Sequence, residues 1–400
     1  MKKYIKRNNY LKKVEPFIDK ELIKVLVGQR RVGKSYMLLQ IQDKIKALHP
    51  SANLIFINKD LNEYDTIQNY QDLYDYVKSN SVENDANYVL IDEIQYISEF
   101  EKALRSFAAE GNYDVYCTGS NADLLSGELS TYLSGRYIEI PVFPLSYNEF
   151  LEFHKLDDNR ESLDHFLKFG GLPYLRNLSL TEDVVFDYLK NVYQAILFKD
   201  VVARFNIRNI TFLEKLVQFL ANHTGTVFSA RNIVNFLKSQ KINLSVNTVL
   251  DYLKYLQTAF FISKVPKTDM IGKKIFEVGE KYYFTDLGLR NSIAGFSPFE
   301  LNLIVENTVF NHLIQCGYQV KIGHLNGYEI DFVAEKENER VYLQVALRIE
   351  SKKTMEREFG NLLALKDNYA KYVITLDEYT GRSYEGILHL PLRSFLREFE

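Results

Sequence analysis

One stretch constrains the whole chain. From Leu22 to Ile45 it reads "LIKVLVGQRRVGKSYMLLQIQDKI", an apolar run and an amphipathic run joined by a loop containing Gly28, Gly33, Lys34 and Ser35. Residues Gly28-Gln29-Arg30-Arg31-Val32-Gly33-Lys34-Ser35 fit GxxxxGK[ST], placed after a strand and opening a helix, as a phosphate loop requires. The glycines let successive backbone N–H groups face one anion, and the helix N-terminus adds partial positive charge. Lys34 is expected to reach β- and γ-phosphate oxygens, and Ser35 to place its hydroxyl on Mg²⁺. The loop from Gly28 to Ser35, with Tyr36 after it, is therefore the candidate nucleotide-binding set.

The surrounding pattern extends this to a domain. Expected strands are 22–28, 53–59, 88–93, 113–120 and 136–143, and expected helices 35–48 and 70–79, the alternation of a doubly wound α/β fold. "VLIDE" delivers Asp92 and Glu93 at the carboxyl end of an apolar strand, where open α/β sheets bind ligands. Asp92 is expected to hold the Mg²⁺ shell with Ser35, and Glu93 to orient or deprotonate the attacking water. Ser120 and Asn121 end the following strand, where they either hydrogen-bond the γ-phosphate or water, or simply form a turn. Arg136 opens the last strand, and either stabilises transition-state charge on a neighbouring subunit's nucleotide or caps a turn.

Composition excludes several classes. In 400 residues, 46% hydrophobic and 25% charged, no run approaches the ~18 apolar residues of a membrane helix. Cys117 and Cys316 lie far apart without CxxC, so they read as core residues of a reduced, cytoplasmic protein. The opening "MKKYIKRNNY" reads as a solvated helix face rather than a targeting signal. The net charge is −3, yet residues 206–275 carry ten Lys/Arg against three acids, a local balance of +7. That middle segment is a separate electrostatic unit. It reads as three short helices, two of them N-capped by Ser229 and Ser245, then a Lys-rich hairpin around 271–273, the layout of a winged helix-turn-helix. Its charge serves either DNA binding or an inter-domain face paired with acids elsewhere. The tail reads as a third α/β unit, with helices near 303–317 and 354–367 and strands at 328–336, 340–347 and 371–377.

"IKVLVGQRRVGKSYML", "YVLIDEIQYI", "YCTGS", "LSGRYIEIPVFPLSYNEF" and "FGGLPYL" together resemble the AAA-type P-loop ATPases of bacteria and archaea that carry a C-terminal domain of unknown function. The resemblance implies an α/β P-loop NTPase (AAA-type) domain over 1–150, a helical lid over 151–205, a winged helix over 206–275 and a restriction-endonuclease-like domain over 276–400. It also implies ATP binding, slow hydrolysis and an oligomer or protein partner. In the nuclease pattern Asp331 fits the strand acid and Glu306 the helix acid, but Gln344 and Ala346 stand where Glu and Lys belong. Without that carboxylate and ammonium, Mg²⁺-dependent cleavage is not expected. Glu306 and Asp331 are then fold relics or a weak cation site, and Arg348 or Lys352 are the nearest substitutes for the lysine. The expected activity is a Mg²⁺-dependent ATPase working as a nucleotide-driven switch. The alternatives are a nucleic-acid-binding module holding ATP structurally and, last, an ATP-dependent nuclease.

Overall fold

The computed structural model describes residues 4–83, 86–122, 133, 135–239, 244–270, 279–325, 327–349, 352–377 and 383–399. Lys241, the hairpin around 271–273 and Lys274 lie outside the described residues, as does the Lys352 side chain. The chain forms two compact units, residues 1–143 with 258–260, and residues 144–257 with 261–400.

In the first unit, helix α1 (Asn8–Val14) precedes β1 (Ile23–Val27), α2 (Lys34–Leu48), β2 (Asn53–Asn58), α3 (Tyr70–Ser79), β3 (Asn87–Asp92), α4 (Phe100–Glu110), β4 (Tyr113–Gly119) and β5 (Tyr137–Pro141). The strands form one parallel sheet in the order β2-β3-β4-β1-β5. Every residue of β1 and β3 is buried. Strands covered on both faces are mostly apolar rather than alternating, which is why these segments stood out in the sequence although β1 also buries Lys24. Helix α3 is fixed by a capping box in which Asn69 accepts from the Asp72 N–H and Asp72 accepts from the Asn69 N–H. One side of the sheet packs Val25, Val27, Ile57, Val89 and Ile91 against Leu73, Val77, Leu104 and Phe107.

The second unit opens with α5 (Tyr147–His154), α6 (Arg160–Phe169) and α7 (Glu182–Ala195), the last continuing into a π-helical stretch, Ile196–Val202. Then come α8 (Ile210–Asn222), α9 (Ala230–Ser239) and α10 (Val246–Thr258), with Ser229 and Ser245 accepting from the Asn232 and Thr248 N–H groups as expected caps. The remainder is β6 (Ile262–Asp269), β7 (Glu280–Phe284), α11 (Leu287–Ala294), α12 (Leu301–Gln315), β8 (Gln319–Leu325), β9 (Tyr328–Lys336), β10 (Glu339–Ala346), α13 (Lys352–Leu363), β11 (Ala370–Thr375), β12 (Ser383–Tyr384), β13 (Ile387–Pro391) and α14 (Leu392–Glu398).

Its eight strands form one mixed sheet, β12-β13-β11-β10-β9-β8-β6-β7. Strand β6 pairs antiparallel with β7 through Ile262–Pro266 and parallel with β8 through Lys267–Asp269. The pair that follows the basic helices is thus continuous with the sheet of the tail. The turn at "FGGLP" is held by Asp286, whose carboxylate accepts from the Gly171 and Leu289 N–H groups at 2.8 and 2.9 Å. A Cβ on Gly170 would lie 2.4 Å from the Gly288 nitrogen, so only glycine allows this approach.

Candidate functional site

The loop after β1 takes the shape its glycines permit. Gly28 has φ +151°, and a Cβ there would fall 2.1 Å from the Val142 carbonyl oxygen. Gly33 has φ +97° and opens α2, while Arg31 takes φ +72° between them. Lys34 folds back into the loop, its Nζ donating to the Gly28 and Gln29 carbonyls at 2.8 and 3.0 Å. Val32 is fully buried, Arg31 is exposed, and the Arg30 guanidinium donates to the Tyr96 hydroxyl at 3.2 Å. The Tyr36 ring is about half exposed on α2.

The N-terminal segment corrects one expectation. Arg7 is 3% exposed rather than solvated, and its Nη1 donates to the Val32 carbonyl at 3.2 Å and the Phe143 carbonyl at 3.0 Å. Its backbone N–H donates to the Gln40 side chain of α2 at 2.8 Å. One guanidinium therefore ties the phosphate loop to the chain leaving β5. Nothing local in "IKRNNY" distinguishes this arginine from its basic neighbours, because both acceptors come from distant segments.

The acidic pair ends β3 beside the loop strand's neighbour, β4. Asp92 is buried, and Thr118 Oγ1 donates to its Oδ1 at 2.6 Å. The same hydroxyl accepts the Glu93 N–H at 2.9 Å. Thr118 thus orients both acids, a role missed in the sequence although it lies one step beyond the Ile91–Cys117 pair of the β3–β4 ladder. Burial pushes the Asp92 carboxyl up, against the opposing pull of the Thr118 and Ser35 hydroxyls and the Lys34 ammonium. Glu93 adopts φ +57°, a left-handed conformation costly for a residue with a side chain, and turns the chain directly after the strand. Ser120 Oγ donates to the Glu93 carboxylate at 3.2 and 3.3 Å, and Gln95 Nε2 donates to Glu93 Oε2. Ser120 therefore positions Glu93, and Asn121 is buried next to it in the chain.

A cation at this site is consistent with the donors. Asp92 Oδ2 is buried without a hydrogen-bond partner among the described residues. Mg²⁺ takes one or two protein oxygens and fills its octahedron with water and phosphate, which suits one carboxylate and the Ser35 hydroxyl.

Arg136 lies elsewhere. Its carbonyl accepts the Ile23 N–H at 2.9 Å, at the start of β1, whereas the phosphate loop follows the end of that strand. About 16 Å of parallel strand separates the two levels. Arg136 is exposed there and does not reach the nucleotide loop of its own chain. Of the two expectations, action on a neighbouring subunit and capping of a turn, both are compatible with this position.

In the second unit the structure brings Glu306 and Asp331 together, but around an ammonium. Lys281 Nζ lies 2.9 Å from Glu306, 2.9 Å from Glu329 and 3.7 Å from Asp331. The Tyr283 hydroxyl donates to Glu306 at 2.6 Å, and the Val345 N–H donates to Asp331 at 2.8 Å. Burial and the Glu306 charge hold the Asp331 carboxyl well above the usual carboxylate range, and the three carboxylates hold Lys281 charged. The expectation of a weak cation site is corrected to this extent: the positive charge among these acids is the protein's own. Ala346 is buried, and Arg348 points instead to Asp377 at 3.8 Å. Lys281 was not singled out in the sequence because it comes from β7, far from either acid. Cys117 is buried in the sheet, its thiol pushed up to about 12 by burial, while Cys316 is half-buried. No helix among the described residues is long and apolar enough to cross a membrane.

Comparison with known proteins agrees with this geometry. Residues 20–151 match a family described as an AAA domain, and residues 160–300 match a domain of unknown function (DUF8612). An uncharacterized protein of Haemophilus influenzae is 35% identical over 392 residues, spanning 96% of this chain and 97% of its own length. The uncharacterized protein MJ1544 of Methanocaldococcus jannaschii is 31% identical over 353 residues, covering 84% of this chain and 77% of its own. Among solved structures, the Aeropyrum pernix ORC1 protein in complex with DNA covers 76% of this chain and 95% of its own, at 12% identity and a TM-score of 0.32. The phosphate loop, the acidic pair on the same sheet, the two matched domains and the Haemophilus relative aligned over nearly its whole length lead to one conclusion: the chain belongs to the AAA-type P-loop ATPases that carry a C-terminal domain of unknown function.

Proposed function

We propose that the protein binds ATP with Mg²⁺ and hydrolyses it, using the nucleotide state as a switch. The observation that carries this reading is the unpaired, buried Asp92 Oδ2 at the end of β3, with Glu93 beside it held by Thr118, Ser120 and Gln95. When bound, Mg²⁺ neutralises phosphate charge and fixes the geometry of the terminal phosphoryl group. Asp92 and Ser35 would hold it. Lys34, now bonded to two loop carbonyls, exchanges these neutral acceptors for phosphate oxygens, a charge-assisted and stronger pairing. Glu93, kept in place from three sides, orients the attacking water and takes its proton. Arg136 acts, in this reading, on the nucleotide of a second copy, which makes hydrolysis dependent on assembly.

The test is ATP turnover by the wild type and Glu93→Gln, with and without DNA, alongside mass in solution. Mg²⁺-dependent turnover abolished by Glu93→Gln is expected, with nucleotide binding retained by that variant and lost in Lys34→Ala. A wild type that fails to bind ATP with Mg²⁺ ends the proposal.

A second reading, DNA as the partner, is favoured by one observation. Arg208, Lys215, Arg231, Lys238 and Lys254 are exposed and make no ion pair among the described residues, unlike Lys264, which pairs with Glu280. The three helices and the β6–β7 pair support the winged-helix interpretation of this segment. Phosphate contacts of this kind give salt-dependent affinity, so Lys238→Glu with Lys254→Glu should weaken duplex binding and flatten its salt dependence. Equal binding by wild type and variant would remove DNA from the scheme.

A further inference from the structure

Unpaired buried polar side-chain atoms are not scattered through the first unit. Among its described residues they are Gln29 Nε2 and Oε1, Asp92 Oδ2 and Gln95 Oε1, all within the phosphate loop or the four residues that begin with the acidic pair. Everywhere else in that unit, the buried described side chains are satisfied. Gln29 stands out because the whole residue is 0% exposed and neither end of its carboxamide finds a partner among the described residues. An unmade hydrogen bond on a buried amide is destabilising, and folded proteins almost always avoid it. The phosphate chemistry of the loop leaves this position open, so nothing in the glycine and lysine requirements calls for a glutamine there.

We propose that Gln29 is a specificity-determining residue that reads the magnesium–triphosphate pair as one unit. This rests on the ATP-binding reading above. The argument is one of complementarity. A carboxamide presents two donor hydrogens on Nε2 and an acceptor on Oε1. A bare phosphate offers acceptors only, which satisfies Nε2 and leaves Oε1 buried and unpaired. A hydrated Mg²⁺ offers donors only, through its waters, because the metal keeps several waters when bound to phosphates. A Mg²⁺-bound terminal phosphate offers both, an anionic oxygen for Nε2 and a metal-bound water for Oε1. A site built to hydrogen-bond a group discriminates strongly against ligands that lack it, because the unpaired partner is left behind in a dry environment. Gln29 therefore favours the magnesium complex of the triphosphate over the diphosphate and over metal-free ATP.

The experiment uses the full chain with Gln29→Met, close in volume to glutamine, and Gln29→Leu as a second apolar replacement. Affinity is measured for ATP with Mg²⁺, ATP with EDTA and ADP with Mg²⁺, together with the melting temperature of the ligand-free protein. In both variants the expected result is about 10-fold weaker binding of ATP with Mg²⁺, the other two ligands changing less than about 3-fold, and an unchanged or higher melting temperature. A lower melting temperature with the ligand preference intact would assign Gln29 a purely structural role and overturn the proposal, as would equal weakening of all three ligands. If one variant fails to fold, the other decides. If the wild type itself does not bind ATP with Mg²⁺, the parent reading falls; if it binds and the variants bind equally well, only the role of Gln29 falls.

Discussion

Replacing Lys281 with methionine tests whether the acids of the second unit are organised around an internal cation. The ammonium has a side chain 4% exposed and meets Glu306 and Glu329 at 2.9 Å and Asp331 at 3.7 Å. Methionine matches much of the lysine stem, so packing changes little and the loss is chiefly electrostatic. Glu329 is 37% exposed and can re-solvate, but Glu306 and Asp331, at 8% and 11%, are left buried beside one another without a counter-charge. Breaking a buried pair from one side costs about 3–5 kcal/mol. For a unit of this size each kcal/mol shifts the melting temperature by about 2–4 °C, so the transition should fall by roughly 6–20 °C. The pH dependence gives a second check. Burial and the Glu306 charge already raise the Asp331 carboxyl, and removing the Lys281 ammonium that opposes them raises it further, so the folded state retains a proton that the unfolded state has released. Stability then rises as pH falls from the raised native pKa of Asp331 toward its unfolded value. The deficit relative to wild type should be large at pH 8 and much smaller at pH 5, read by calorimetry across that range. A variant melting within about 2 °C of wild type at pH 8 would refute the reasoning.

Other outcomes follow from single contacts. Thr118→Val keeps the shape of β4 but removes the donor to Asp92 and the acceptor of the Glu93 N–H, so ATP turnover should fall about 10-fold or more while the fold loses about 1–3 kcal/mol; unchanged steady-state kinetics would count against its role. Arg7→Gln removes the bridge between the Val32 and Phe143 carbonyls, and both melting temperature and ATP affinity should drop, whereas a loss of stability alone would separate the clamp from nucleotide binding. Burial pushes the Asp286 carboxyl up to about 6, outweighing the backbone N–H donors that favour its charge. A raised acid pKa contributes stability that is fully present below the unfolded value near 4 and is lost as pH rises through about 6. The stability difference between wild type and Asp286→Asn should therefore change between pH 4 and 6 and level off above, in denaturant titrations; a flat difference would show that the carboxyl does not titrate in that window.

The first unit was largely legible because its signals are local. Buried parallel strands announce themselves as apolar runs, and the expected strand at 53–59 appears as Asn53–Asn58, that at 113–120 as Tyr113–Gly119. The turn at Gly28 and Gly33 needs backbone angles that glycine supplies, so the loop could be read from composition and spacing. In the tail, β9 was visible as "YEIDFVAEK", but β8 and α11 were not expected, since half-buried residues in a mixed sheet and a short helix leave weaker periodicity.

What a side chain meets across the sheet is a different kind of information. Lys34, Ser35, Asp92 and Glu93 carry chemistry that their own neighbours in sequence imply, and the sequence by itself named them. Thr118 became a site residue only when β4 was laid beside β3, and Arg7 only when two distant carbonyls converged on it. Arg136 was placed away from its own chain's phosphate loop only by the parallel register, which puts the two ends of a strand at opposite edges of the sheet. Glu306 and Asp331 were recognisable as acids, but the lysine between them arrives from β7, and no spacing rule encodes a contact that depends on strand order. The sequence determined the phosphate loop and the strands that carry it, whose causes lie within a few residues, while the partners of each charge were decided by tertiary structure, where segments far apart in the chain share one dry space.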